Sequence, residues 1–319
     1  MLYYETYFLL KLVYIIMVFI KAKSLEKQNA INIFMLNARS NAMKVFFIAL
    51  LLFGMVMMPT KADAPMATNL VFLNFPEKVL KSGNLGKQTI KESSKTRIFF
   101  HYLNATGRDQ VFNFKLKGKL EKYKYAVDTN FEPGLAGSNA AKKFLLLNYQ
   151  TAYNPGFELT VKDKDTVSGI VEAIMQKGDS WSCKLGDDSA TSDLKIINIG
   201  DYEIEKFIDL KEGKPFTFRL GENRKEIIPG HYGYDYNFFV NNTDAKKKRL
   251  ICSIDSRAGF LTGVFKINDT VISTNELPAR QETIYFNKII DPNVPFKITY
   301  IPTGGYSYPV QLKFKLIAI

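Results

Sequence analysis

The sequence predicts an all-β protein: two tandem antiparallel β-sandwich domains of Ig-like type, set behind an N-terminal hydrophobic signal or anchor region. Three observations predict it. Helical periodicity is nearly absent after residue 64, and short runs rich in β-branched and aromatic residues take its place. Turn signals separate those runs at even intervals. The two halves of the chain echo one another at a nearly constant offset. Composition agrees. Of 319 residues, 46% are hydrophobic and 23% charged, which excludes a disordered tail, a collagen and a polytopic membrane protein.

Residues 43–64 (MKVFFIALLLFGMVMMPTKADA) have the layout of a secretory signal peptide. Lys44 is the basic start, Val45–Met58 the apolar stretch, and Thr60, Ala62 and Ala64 the small residues of a cleavage region. As a helix that apolar stretch spans about 21 Å, short of the roughly 30 Å of bilayer hydrocarbon. Residues 1–42 read either as an extension upstream of a true start at Met43 or as an extra membrane segment built on Phe8–Ile20. On either reading the body lies in the cell envelope or outside the cell, and touches a membrane only through this segment if it stays uncleaved.

The first sandwich is expected over 65–175. Its strands are read at Asn69–Asn74, Arg97–Asn104, Val111–Lys117, Lys122–Asp128, Lys143–Tyr149, Phe157–Val161 and Gly169–Met175. Val111–Lys117 alternates cleanly, with Phe112, Phe114 and Leu116 on one face. A polar stretch, 176–193, lacks a strand pattern and reads as the linker. The second sandwich is expected over 194–319. Its strands are read at Leu194–Ile199, Phe216–Leu220, Tyr236–Asn241, Arg249–Asp255, Gly263–Asn268, Thr283–Lys288, Phe296–Ile301 and Val310–Ile317. The repeat rests on pairs such as Leu103–Thr106 with Val240–Thr243, Leu146–Asn148 with Tyr285–Asn287, and Asn154–Phe157 with Asn293–Phe296, at offsets of 137 to 139.

Arg97-Ile98-Phe99-Phe100-His101-Tyr102-Leu103-Asn104-Ala105-Thr106, the apolar strand to Leu116, and Gly134-Leu135-Ala136-Gly137 with Ala140-Ala141 carry a resemblance. Over about residues 90–150 the chain resembles a family of uncharacterised exported bacterial β proteins. The resemblance implies export and a β fold. A fainter echo over 230–290 puts Asp235 and Tyr236 ahead of Phe238-Phe239-Val240-Asn241.

Residues 1–62 hold seven of the 43 Lys/Arg and two of the 31 Asp/Glu, so 63–319 carries 36 basic and 29 acidic side chains, a net +7. Such a charge attracts polyanions, but no Lys/Arg run is dense enough for a nucleic-acid arm. The partners expected are an anionic cell-wall polymer or polysaccharide, or another envelope protein, with no nucleic acid. Tyr232, Tyr234 and Tyr236 alternate, so in a strand they share one face, a stacking platform if exposed and core if buried. His101 is the first residue to test for chemistry, and His231 is the second histidine. Cys183 and Cys252 are a candidate disulfide in an exported chain. No catalytic residue, metal site or cofactor is assigned, since no nucleophile elbow, zincin, phosphate-loop or dinucleotide motif is present. The function expected is that of an exported, non-enzymatic structural or interaction protein; the alternatives are a carbohydrate-binding module on the tyrosine face and an unrecognised enzyme.

Overall fold

The succession of strand-forming segments sets the element order. In the first half it gives β1 (Thr68–Leu73), β2 (Lys78–Val79), β3 (Gly83–Thr89), β4 (Ser94–Asn104), β5 (Gln110–Lys117) and β6 (Lys119–Asn130). A helix follows, α1 (Pro133–Leu146), then β7 (Gln150–Tyr153), β8 (Gly156–Val161), β9 (Thr166–Met175) and β10 (Ser180–Leu185). The second half runs β11 (Ile197–Ile199), β12 (Glu203–Leu210), β13 (Phe216–Leu220), β14 (Asp235–Asn242), β15 (Lys248–Ser256) and β16 (Leu261–Ile267). It ends with β17 (Thr270–Leu277), β18 (Glu282–Ile290), β19 (Phe296–Gly305) and β20 (Val310–Ile317). This computed structural model describes residues 66–73, 77–187, 195–220, 231–256, 261–277, 282–305 and 310–319. The signal region 43–64 and the extension 1–42 lie outside the described residues.

Among the described residues the protein is all-β apart from α1, with four sheets. In the first half β11-β1-β4-β9-β6-β7 form one sheet, with β2 beside β4, and β3-β10-β5-β8 form the other. The second half repeats β1-β4-β9-β6-β7 as β12-β14-β19-β16-β17 and β3-β10-β5-β8 as β13-β20-β15-β18, without counterparts of β2 and β11 among the described residues. Each half has its own apolar core between its two sheets. Phe100, Phe112, Phe114, Val171 and Trp181 meet in the first, and Phe238, Leu250, Phe265, Leu312 and Phe314 in the second. A third cluster joins the halves: Phe72, Phe99, Phe144, Ile170 and Tyr202 pack with Val264 and Ile301.

Register gives the repeat its true offset. Asn104 and Asn242 are both buried. Each turns its amide NH2 to a carbonyl four residues on, Arg108 O at 2.9 Å and Lys246 O at 2.9 Å. Each accepts the backbone N–H two residues on. β4 and β5 therefore align with β14 and β15 at 138 residues, with Asn242 rather than Asn241 as the counterpart of Asn104. After α1, β8 and β9 align with β18 and β19 at 129, since Phe157 pairs with Phe114 as Phe286 pairs with Cys252. The first half thus holds nine more residues in that span. The matches of Leu146–Asn148 with Tyr285–Asn287 and of Asn154–Phe157 with Asn293–Phe296 were coincidental.

Several expectations are corrected. The order is not Ig-like, in which A-B and E-D run as sequence neighbours in one sheet; among the described residues only β6/β7 and β16/β17 are consecutive strands side by side. The sheets are not purely antiparallel, because β1 runs parallel to β4 and β12 parallel to β14. The linker 176–193 contains β10, which pairs with β3 and β5 and buries Trp181. β11, expected in the second domain, zips onto β1 of the first. Of the strand read at Lys143–Tyr149, Lys143–Leu146 is the end of α1 and 147–149 form neither helix nor strand. Pro133 opens that helix, and Ala136, Gly137, Ala140, Ala141, Phe144 and Leu145 form its buried stripe at helical spacing. Two glycines cost about 1 kcal/mol each against alanine, so packing on both sides holds the helix. It lies against β6 and β9 of one half and β16, β17 and β19 of the other. A Cβ on Gly137 would stand 2.7 Å from the Thr303 carbonyl oxygen.

Candidate functional site

Alternation on β4 points Ile98, Phe100 and Tyr102 into the first core and Arg97, Phe99 and His101 toward the outer face of the sheet. There a charge cluster forms where the two halves meet. Arg97 is 1% exposed. All five guanidinium N–H groups are used. Nε donates to Glu172 Oε2 at 2.9 Å, and Nη2 donates to the same oxygen and to Asp235 Oδ2 at 2.8 Å. Nη1 donates to Asp235 Oδ1 at 2.6 Å and to the Gly233 carbonyl at 2.9 Å. The guanidinium lies 4.3 Å from the Tyr202 ring centre and 5.1 Å from that of Phe144. Gly233 has φ +79°, and a Cβ there would press to 3.1 Å on Phe99, so glycine lets this turn reach Arg97.

Glu172, on β9, is equally buried. It also accepts from Tyr202 OH at 2.8 Å and from Tyr149 OH. Lys95 stands 3.6 Å from it and pairs with Glu203. Burial alone would raise the Glu172 carboxyl; Arg97, Lys95 and the Tyr149 hydroxyl outweigh it and bring the pKa down to about 2. Against its own burial, Arg97 is held charged by Asp235 and Glu172. Burial pushes the Tyr149 and Tyr202 phenols up, and the neighbouring carboxylate adds to it. Glu172, Glu203 and Asp235 bring carboxylate oxygens within 4.8 Å of one another, the geometry a cation needs. Arg97 and Lys95 already neutralise that space, so a metal would have to displace them. With its ions paired and its phenols protonated, the cluster is built to hold two halves together.

The sequence reading missed this cluster, although its signals were present. Glu172 is a lone acid in Gly169–Met175, an otherwise apolar run. Arg97 and Asp235 occupy the same strand position in the two halves, with opposite charge.

The residues singled out earlier sit elsewhere. His101 is 7% exposed, its Nδ1 has no partner among the described residues, and burial lowers its pKa to about 4. His231 is the turn residue whose Nδ1 meets Tyr236 OH, so the two histidines do not form a shared site. The tyrosines are no platform. Tyr236 is buried in the second core, Tyr234 stacks between His231 and Tyr236, and Tyr232 stacks on Phe72 and Phe99. Tyr232 precedes β14, so the three do not share one strand face. The proposed disulfide is absent. Cys183 and Cys252 are free, each buried in a different core, and burial raises both thiols.

No family model matches the chain, and no curated protein sequence matches it. Among solved structures it is similar to Lac15 from a marine microbial metagenome, at 9% identity and TM-score 0.18. It is similar to a multicopper oxidase from Campylobacter jejuni, a metallo-oxidase, at 13% identity and TM-score 0.13. It is also similar to the CBM22-1–CBM22-2 tandem domain of Paenibacillus barcinonensis Xyn10C, at 7% identity and TM-score 0.17. The alignments cover 78%, 70% and 82% of this chain and 64%, 48% and 100% of those chains. The chain thus spans less than two thirds of the length of the first two, and at these TM-scores the likenesses carry no functional argument.

Proposed function

We propose that this chain is an exported, non-enzymatic interaction protein of the cell envelope or extracellular space that holds an anionic polymer on a lysine-bearing sheet face. The observation that carries the reading is the outer face of β3-β10-β5. Cross-strand register sets Lys87, Ser182 and Lys115 in one row and Thr89, Ser180 and Lys117 in the next. The three lysines are exposed and make no ion pair among the described residues. Strand geometry spaces them about 7 to 10 Å apart, a ladder of cations with hydroxyls between. The Arg97 cluster supports a rigid scaffold beneath it. Export rests on the signal layout of 43–64.

In architecture we read the four sheets as two β-sandwiches in tandem, each a jelly roll of eight strands with one further strand, β1 or β12, laid parallel on it, and with β2 and β11 added in the first half. What supports this is the return of β10 beside β3 and β5, and of β20 beside β13 and β15, pairings of long sequence separation that close each half on itself. A solenoid, the other way to stack sheets, would instead pair successive coils.

The test is retention of the full chain on immobilised teichoic acid and on dextran sulfate. Strong binding at low salt, lost at about 0.5 M where the Debye length falls below ~5 Å, supports the reading. So does its loss in the Lys87→Glu/Lys115→Glu/Lys117→Glu variant. Binding that ignores both salt and the triple variant overturns it.

A further inference from the structure

Phe207, on the edge strand β12, is 77% exposed, although it sits in a regular sheet. It is not a stray surface hydrophobe. It stacks on Phe239 of β14 with ring centres 4.9 Å apart and planes 12° from parallel. On the far side of Phe239, Lys297 of β19 lies 5.4 Å from the ring centre. Register makes these three one row, Phe207 opposite Phe239 opposite Lys297. The stack is therefore filled on one side and ends on the open face of Phe207.

The neighbouring rows are polar. Two residues before Phe207 on the same face is Glu205, in register with Asn237, which accepts from Thr299 Oγ1 at 2.8 Å. Two residues after it is Asp209, in register with Asn241, whose amide donates to Asp209 Oδ1 at 3.0 Å. The Asn241 Oδ1 has no partner among the described residues. An open aromatic face is thus bracketed, about 7 Å to either side along the strand, by the Glu205 carboxylate in register with Asn237 and by the hydrogen-bonded Asp209–Asn241 pair.

We infer that Phe207, with Glu205 and Asp209, is a binding site for one uncharged pyranose ring of a neutral polysaccharide. The axial C–H face of such a ring packs on an aromatic ring, and its equatorial hydroxyls reach outward to acceptors at the distance where the two carboxylates stand. The carboxylates repel a polyanion, so this site is separate from the lysine ladder. They attract a cation as well, but the ammonium of Lys297 already takes the far side of the Phe239 ring, so a second cation on this stack meets its repulsion while an uncharged ring does not. The inference does not rest on the polyanion reading, because the two sites lie in different halves and differ in salt response.

The experiment is native affinity electrophoresis of the full chain through gels containing mannan, xylan, laminarin or hydroxyethyl cellulose, followed by calorimetry with oligosaccharides of the retarding polymer. Wild type is expected to be retarded by at least one of them, with affinity unchanged by salt. Phe207→Ala is expected to lose affinity tenfold or more while its melting temperature stays within about 2 °C. Glu205→Gln/Asp209→Asn is expected to lose several-fold. Equal retardation of wild type and Phe207→Ala overturns the site. So does absence of retardation in all four gels, and so does binding of tetramethylammonium or a lysine-rich peptide in place of sugar. Loss of polyanion binding with sugar binding intact would remove only the lysine ladder.

Discussion

β4 and β14 are the same strand in the two halves, yet their outer faces meet different surroundings. On β4, Arg97, Phe99 and His101 are buried. On β14 the matching Asp235, Asn237 and Phe239 are half-buried. The difference traces to one insertion. In the second half β16 and β17 are joined by a tight turn at Asn268 and Asp269, with Asn268 at φ +52°. In the first half α1 lies between β6 and β7. Its stripe of small residues lets the outer sheet face of the second half close over β4. A helix added at one hairpin therefore turned one copy of a sheet face into an interface and left part of the other as surface.

The largest effect should follow from breaking the interface at its charge cluster. Arg97→Ala leaves Glu172 and Asp235 facing one another and removes five hydrogen bonds. Breaking a buried pair costs about 3–5 kcal/mol, or roughly 10 °C in melting temperature for a chain of this size. Arg97→Lys should recover little, since a single ammonium cannot bridge two carboxylates in the plane of a fork. Thermal unfolding checks both. A loss under about 1 kcal/mol in Arg97→Ala would mean that the cluster is solvated and does not join the halves.

Acid comes next, in two windows. Burial lowers the His101 pKa to about 4. Its neutral form is thus favoured in the folded protein, and its contribution is complete above pH 6.5 and lost as pH falls toward 4. At about 1.4 kcal/mol per pKa unit that is about 3 kcal/mol. Glu172 is also depressed, to about 2, so its contribution is complete above pH 4.5 and lost below it. In the second half Phe239 holds the position of His101, since Phe239 pairs with Lys297 as His101 pairs with Ser168. His101→Phe should therefore flatten stability between pH 6.5 and 4 and leave the lower window in place. Urea midpoints at pH 7, 5 and 3 measure it. An unchanged fall between pH 7 and 5 would place His101 in water.

These positions show what the sequence made legible. Clean alternation, as in Val111–Lys117 and Val310–Leu316, located β5 and β20. Strands without it were missed: Gly83–Thr89 carries two glycines, Ser180–Leu185 pairs small polar residues with Trp181 and Cys183, and Glu203–Leu210 is an edge strand with a wet face. The repeat was visible but misaligned, because the nine-residue excess around α1 moves the offset from 138 to 129. The helix was missed because its stripe is made of alanine and glycine, which hydrophobic periodicity weighs lightly. For the Arg97 cluster the sequence marked the members, a lone acid in an apolar run and opposite charges at one strand position, but not their meeting. That meeting depends on which sheet face of one half meets which face of the other, and that is decided by packing rather than by local pattern.

A smaller effect should come from α1 itself. Gly137→Val puts a branched side chain where 2.7 Å separates a Cβ from the Thr303 oxygen. Overpacking of this kind costs about 1–3 kcal/mol. It should also weaken the hydroxyl contact of Ser138 with Thr303, 3.3 Å away. Hydrogen exchange would then rise in α1, β16 and β19 and stay unchanged in β5 and β10. Uniform loosening would show instead that the two cores, rather than the helix contact, respond to the substitution.

The smallest effect expected is the most specific test of the repeat. In the first half Phe114 faces Cys183 across β5 and β10; in the second Cys252 faces Phe314 across β15 and β20. The two cores place the same pair in opposite orientation at equivalent positions. Phe114→Cys alone removes a buried ring and should cost about 3 kcal/mol or more. Cys183→Phe alone overfills the core and should cost about 1–3 kcal/mol. The double variant, which gives the first half the arrangement of the second, conserves volume and should cost less than about 1.5 kcal/mol. The single losses would then be strongly non-additive, as contacting residues in one cavity require. Thiol titration of unreduced wild-type protein in denaturant should find both cysteines reactive at once, since each thiol sits in its own core. If the double variant instead loses the sum of the two singles, the halves pack these positions differently, and the shared strand order would not extend to a shared core.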